Sequence, residues 1–144
     1  MSEIQTNRLL LRHLVEDDAS KLFEIMSDTE NMRFWLSGPA TNISWIYQRI
    51  LANQDSWKKN GFGGWALWNR ETDKFIGFCG LHFVDGMPEV NLGFVLDKLY
   101  WGKGYGTEAC LASIEFGFGQ TVIDIVVSVT DPENVASIKL LEKC

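Results

Sequence analysis

Trp101-Gly102-Lys103-Gly104-Tyr105-Gly106-Thr107-Glu108-Ala109 sets three glycines at every second position between an apolar, strand-like run and an amphipathic, helix-like one. Glycine has no Cβ and tolerates positive φ, so such a loop lets backbone N–H groups come close to a ligand. A loop of free N–H groups that feeds a helix N-terminus suits a phosphate or pyrophosphate. The stretch therefore predicts a strand, an anion-binding loop and a helix, with a nucleotide-derived cofactor.

The rest of the chain constrains which one. Its 144 residues suit one domain with a sizeable core, and 46% hydrophobic residues supply enough apolar surface for it. The net charge is −6, from 19 acidic against 13 basic side chains. That excludes a broad phosphate-neutralising surface and with it a nucleic-acid partner, but not a small anion site. An acidic surface also favours cationic acceptors such as amines. Cys79, Cys110 and Cys144 lack metal-like spacing. Cys79 and Cys110 lie in apolar runs and read as small buried hydrophobes. The N-terminus lacks a signal peptide's apolar stretch, and no apolar run reaches transmembrane length. A cytoplasmic protein with no membrane partner is the expectation.

Around the glycine loop the pattern reads β, α, α, β, β, β, α, β, α. Residues 9–14 form a first strand, and Asp17 and Asp18 open a helix carrying Leu22, Phe23, Ile25 and Met26. Gly38-Pro39 breaks the chain before a second helix over 44–59, with Gly61 just past its end. Residues 65–68 and 75–81 flank a polar hairpin connector. Residues 85–88 make a turn, and 89–96 a third consecutive strand. A helix over 107–118, a β-branched strand over 123–129 and a helix begun by Asp131-Pro132-Glu133-Asn134 follow. This predicts an α+β domain, with helices on both faces of a mixed, mostly antiparallel sheet. It is not the regular alternation of a dinucleotide-binding fold. The acidic residue expected about 20 positions after the loop would be Asp124, inside a strand.

These residues resemble the GNAT superfamily of N-acetyltransferases, in its RimJ/RimL-like branch. Four pieces carry the resemblance. Thr6-Asn7-Arg8-Leu9-Leu10-Leu11-Arg12, followed by Asp17-Asp18-Ala19, looks like the opening strand and first helix. Asn91-Leu92-Gly93-Phe94-Val95-Leu96 looks like the central strand, and Tyr100 to Ala109 like the pyrophosphate loop. Asn134-Val135-Ala136-Ser137-Ile138-Lys139-Leu140-Leu141-Glu142-Lys143 looks like the last helix.

The resemblance implies acetyl-coenzyme A as cofactor and an amine as acceptor, either a protein N-terminal α-amine or a small molecule. Gly102, Lys103, Gly104, Tyr105, Gly106 and Thr107 would hold the pyrophosphate. Phe94, Val95 and Leu96 would pair with the pantetheine arm, where this strand splays from the next. Trp101 stands where the wider family has Arg or Gln, and is expected to pack beneath the loop. Asn134 and Ser137 share a helix face. The resemblance puts Asn134 on the pantetheine and Ser137 near the sulfur, where it could protonate the leaving thiolate. Asn134 also reads as a helix N-cap.

Aminolysis of a thioester needs a neutral amine, and a carboxylate acting through water is a sensible base. The family often has Glu two residues before the central-strand glycine; here it is Asn91, which cannot be one. Glu89 is the candidate substitute, on the same face by alternation but about 7 Å further along. His13 and His82 are weaker candidates, and Glu108 reads as structural. The family continues past this point with Gly-Phe and two strands, so 1–144 reads as a single domain incomplete at its C-terminus, with homodimer formation open. The alternative functions are a catalytically weak coenzyme A-binding module and an interaction domain with no cofactor.

Overall fold

The computed structural model describes residues 3–35, 37–84, 86–128 and 133–144. Strands β1 (Ile4–Gln5), β2 (Leu9–His13), β3 (Gly64–Asn69), β4 (Lys74–Phe83), β5 (Val90–Leu96) and β6 (Val126–Val127) form one sheet in chain order. Neighbours are antiparallel until β5 and β6, which run parallel. The change follows from the connection between them, because a parallel pair needs a crossover. Helix α3 (Tyr105–Gln120) provides it. Helices α1 (Ala19–Met26), α2 (Ile43–Asn60) and α4 (Val135–Lys143) complete the described elements.

Strand alternation divides the core between the two faces of the sheet. Leu9, Leu11, Trp65, Leu67, Cys79, Leu81, Leu92 and Leu96 pack with Ala109 and Cys110 of α3. Ala66, Trp68 and Val95 pack with Leu22, Ile25 and Met26 of α1 and Ile46 and Ile50 of α2. Every residue of β3 is buried, as a strand covered on both faces requires. Burying each large side chain contributes roughly 1.5–3 kcal/mol.

Local chemistry sets the boundaries. The Asn42 side chain accepts a hydrogen bond from the Ser44 N–H at 2.8 Å and starts α2. Gly61, at φ 75°, ends it in the left-handed conformation, as its place in the sequence predicts. In the β3–β4 hairpin, Asn69 Oδ1 accepts from the N–H groups of Glu71 and Thr72. Cys79 and Cys110 are buried and free, with their sulfurs 3.9 Å apart. Hydrogen bonding to Cys79 and burial push the Cys110 thiol up, so both behave as small core residues.

Three elements differ from the sequence expectation. The two-residue strand β1 is additional; it is too short to leave a period. Helix α3 begins at Tyr105, two residues early, so the third loop glycine lies inside the helix. Within the expected strand over 123–129, only Val126 and Val127 pair, while Val129 lies outside the described residues. Asp131 and Pro132, and Asp85 of the expected turn, also lie outside them.

Candidate active site

The loop is built by two turns in succession. Asp97 Oδ1 accepts from the Leu99 N–H and starts a 3-10 turn over Lys98–Tyr100. Gly102 (φ +72°) and Gly104 (φ +84°) then take the left-handed conformation and bring the chain into α3. The N-cap is Gly104, which has no side chain to offer, and the first helical bond runs from the Glu108 N–H to the Gly104 carbonyl at 3.0 Å. The N–H groups of Tyr105, Gly106 and Thr107 thus have no intrahelical partner and sit at the positive end of the helix dipole. That is an anion cradle.

Gly106 differs from the other two glycines. It is buried in the first turn of α3, and a Cβ there would lie 2.5 Å from Leu140 Cδ1. Its missing side chain admits α4 rather than a bend in the loop, although its N–H still belongs to the cradle. Trp101 differs from expectation too. Its ring is 45% exposed, and Nε1 donates to the Leu96 carbonyl at 2.8 Å, tying the loop to the end of β5. The Lys103 ammonium lies 5.9 Å from the Tyr100 ring centroid, on the exposed side of the loop.

Arg8 braces this loop, a role the sequence reading missed. Arg8 Nε donates to Glu108 Oε1 at 2.8 Å, and the Arg8 backbone N–H donates to Oε2 at 2.8 Å. Arg8 Nη1 donates to the Lys103 carbonyl at 2.8 Å, and the guanidinium lies 4.2 Å from the Tyr105 ring centroid. The Thr6 hydroxyl also donates to Glu108. Desolvation pushes the Glu108 carboxyl up, but these donors outweigh it and hold the group below its usual value. The structural reading of Glu108 thus gains a partner 100 residues away.

Beside the loop, β5 runs on past its last described pairing. Among the described residues, the last paired residues of β5 and β6 are Asn91 and Val127, and the Ser128 hydroxyl donates to the Leu92 carbonyl at 3.0 Å. Strand alternation puts the Phe94 N–H and C=O on that same edge, past the pairing. An extended, amide-bearing ligand can add there as a strand does. The side chains of this run diverge: Val95 enters the core under α1 and α2, whereas Phe94 and Leu96 pack toward α3. At the start of α4, Asn134 Oδ1 accepts from the Ser137 N–H at 3.1 Å. Asn134 is therefore the N-cap, with its amide NH2 left over for another partner. The Ser137 side chain is half-buried one turn on.

The opposite face of β5 carries titratable and polar groups. His82 and Asn91 are cross-strand partners. The His82 ring lies over Gly93, where a Cβ would come 2.7 Å from its Cε1. Asn91 is 3% exposed; its Nδ2 donates to the Glu89 carbonyl at 3.1 Å, and its Oδ1 has no hydrogen-bond partner. Glu89 is partly buried just before β5 begins, where strand alternation no longer governs it. Gly64, Gly80 and Gly93 pair across three strands, and the Phe78 ring lies over Gly64 as the His82 ring lies over Gly93. Helix α2 closes over Gly64: Asn53 Oδ1 accepts from the Gly64 N–H at 2.7 Å, and Asn53 Nδ2 donates to the Gly64 carbonyl at 3.1 Å. One turn back on α2, the Arg49 guanidinium lies 4.8 Å from the Trp45 ring centroid and 5.8 Å from that of Trp35. Burial first and the Arg49 charge second hold the His82 pKa below its usual value, against a weaker hydrogen bond with the Gly80 backbone that raises it. His13 is placed elsewhere, stacked on Trp57 at 4.1 Å.

Comparisons with known proteins agree with this geometry. The family described as "Acetyltransferase (GNAT) domain" matches residues 8–144. The protein named "Uncharacterized N-acetyltransferase p20" of Bacillus licheniformis is 32% identical over 144 residues, covering 98% of this chain and 80% of that protein. The crystal structure of an acetyltransferase from Agrobacterium tumefaciens superposes with a TM-score of 0.88 at 26% identity, over 99% of this chain and 82% of its own. The fold is shared with RimL ribosomal L7/L12 α-N-protein acetyltransferase, solved in complex with coenzyme A (TM-score 0.76, 16% identity, 99% and 82% covered).

Proposed function

The chain belongs to the acetyltransferase (GNAT) domain family, and from that membership we propose that it moves the acetyl group of acetyl-coenzyme A to a primary amine by direct attack in a ternary complex. The amine is that of a protein N-terminus or of a small molecule. The observation that carries this reading is the α3 N–H cradle beside the stretch of β5 that runs past its last described pairing.

When bound, acetyl-coenzyme A supplies an acetyl thioester whose carbon takes the amine and whose sulfur leaves as the thiol. In this reading the N–H groups from Gly102 to Thr107 hold the pyrophosphate, with Lys103 adding a charge. Phe94 offers backbone groups that pair with the pantetheine amides, along the run Phe94, Val95 and Leu96. Asn134 offers its free amide NH2 to the same arm. Ser137 presents its hydroxyl to the sulfur and can donate the proton that the leaving thiolate needs.

The amine must lose a proton to attack, and two groups can take it: Glu89 just before β5, and His82 on the α1/α2 face. Glu89 does so through water in our reading. His82 is the second group, and its lowered pKa keeps it an unprotonated acceptor near neutral pH.

A panel of amines and short peptides, assayed for acceptor-dependent thiol release, tests the proposal. Release with at least one acceptor supports it. Tight coenzyme A binding with no release favours a binding module, the reading that Asn91 in place of a carboxylate suggests. No shift of the melting temperature with saturating acetyl-coenzyme A would remove both, because a ligand of the native state must stabilise it. Comparing Glu89→Gln with His82→Asn then assigns the base, the true one costing about 100-fold or more in kcat.

A further inference from the structure

Arg49 stands on α2 by the face where His82, Asn91 and Gly93 meet, and it has no ion-pair partner among the described residues. Its guanidinium lies 4.8 Å from the Trp45 ring centroid and 5.8 Å from that of Trp35. No carboxylate lies within ion-pair distance of it among the described residues, whose three such contacts are Arg8–Glu108, Lys98–Asp28 and Lys98–Glu30. The residue is half-buried, and that partial desolvation lowers its pKa. Guanidinium groups in such places are ordinarily paired, since a desolvated cation costs free energy until an anion reaches it. The aromatic faces hold the planar group in place and leave its N–H fork for a ligand.

Its place in the fold gives the cation a purpose. Asn53, one turn along α2, is bonded to Gly64; Gly64 pairs with Gly80, and His82 lies two residues beyond on the same face. The glycine row beneath α2 therefore leads from Arg49 to His82, to Gly93 and to the unpaired Asn91 Oδ1. We propose that Arg49 is the anchor for a carboxylate on the acceptor, so that the acceptor is an amine bearing an acid group rather than a simple alkylamine or polyamine. The inference rests on the acetyl-transfer reading above. Such an acceptor is a zwitterion, which also suits a chain whose net charge of −6 disfavours free anions. The acid is either the carboxylate of an amino acid or an acidic side chain close to a peptide's α-amine.

The test uses acid–amide pairs. ω-Amino acids of two to six carbons, and dipeptides with Asp or Asn after the N-terminal residue, are each acetylated chemically. Each acid and its amide partner is then titrated calorimetrically into the protein saturated with coenzyme A. At least one acid is expected to bind about tenfold or more tightly than its amide, as a charge-assisted guanidinium–carboxylate contact implies. Arg49→Gln removes the preference and Arg49→Lys keeps part of it. The coenzyme A-induced melting shift of both variants, equal to that of the parent, establishes that they fold. Preference confined to ω-amino acids assigns the small-molecule source, and preference confined to Asp dipeptides the peptide source. Equal binding of acids and amides, or a preference that survives in Arg49→Gln, overturns the proposal. Failure of thiol release with every amine would instead overturn the acetyl-transfer reading, and that result is independent of these titrations.

Discussion

The two sides of β5 are built from different materials. The loop side is made of backbone: N–H groups at the start of α3, the stretch of β5 past its last described pairing, and glycines that shape the loop. Its partly exposed ion pair, Arg8 with Glu108, serves the frame. The α1/α2 side is made of side chains, and some are left incomplete: the Asn91 oxygen and Trp68 Nε1 have no hydrogen-bond partner, and the Arg49 guanidinium has no ion-pair partner among the described residues. A site that binds one invariant ligand can be built from groups every residue has. Unsatisfied side chains mark the side that distinguishes among ligands.

Glycine substitutions break this contrast most severely. Gly80 pairs with Gly64 so closely that a Cβ on Gly80 would lie 2.1 Å from the Gly64 Cα and 2.7 Å from the Gly63 oxygen. Backbone cannot swing aside, so Gly80→Ala is expected to cost about 3 kcal/mol or more and to lower the chemical denaturation midpoint accordingly. At Gly106 the obstacle is the end of the Leu140 side chain, which can change rotamer. Gly106→Ala is expected to cost about 1 kcal/mol, with loosening of α4 seen as faster amide exchange there. Gly102 has open space around its Cβ position but a φ of +72°. Gly102→Ala therefore costs about 1 kcal/mol in strain alone, and displaces the loop, lowering coenzyme A affinity more than stability. Equal losses at all three positions would refute the distinction between a sheet contact, a helix contact and a bent loop.

The brace ranks next. Arg8→Met removes the side-chain donors to Glu108 and to the Lys103 carbonyl, and leaves the backbone N–H bond to Glu108 in place. The exposed part of this ion pair is screened, so the stability cost is about 1 kcal/mol. Coenzyme A binding is expected to weaken about tenfold, because the loop carbonyl and the start of α3 lose their common anchor. Calorimetric titration measures this, and unchanged affinity would reduce Arg8 to a surface contact.

The same contrast explains what the sequence makes legible. The loop site is contiguous: a strand, three glycines and a helix lie within some twenty residues, and turn chemistry is local. Its error at Gly106 arises because alternating glycines look alike, while only the packing of Leu140 shows which of them admits a helix. Arg8 stands 100 residues from Glu108, and nothing in its neighbours announces the pairing. The α1/α2 side is harder still. Arg49, His82 and Asn91 come from a helix and two strands, and they meet only through the register Gly64–Gly80–Gly93. A one-residue slip would turn every one of these side chains to the other face. Periodicity assigns elements, but register is a property of the folded pairing.

The smallest expected effect is also the most direct probe of the incomplete side. His82 is held below its ordinary pKa by burial first and by the Arg49 charge second. On unfolding it recovers a value near 6.5. Above that value both states are neutral and the ring contributes its full stability. As pH falls below it, the unfolded chain binds a proton that the native ring refuses, so stability drops until the folded pKa is passed. The loss is bounded by one proton, about 1.4 kcal/mol per pH unit at most. Denaturant midpoints measured from pH 7.5 down to 5.5 should thus fall more steeply for the parent than for His82→Asn. Arg49→Gln should lie between them, because it removes one of the two causes and leaves burial in place. The His82 ring resonances in Arg49→Gln should titrate at a higher pH than in the parent. If they titrate at the same pH, the Arg49 charge does not reach the ring, and the face between α2 and β5 is not the single electrostatic unit described above.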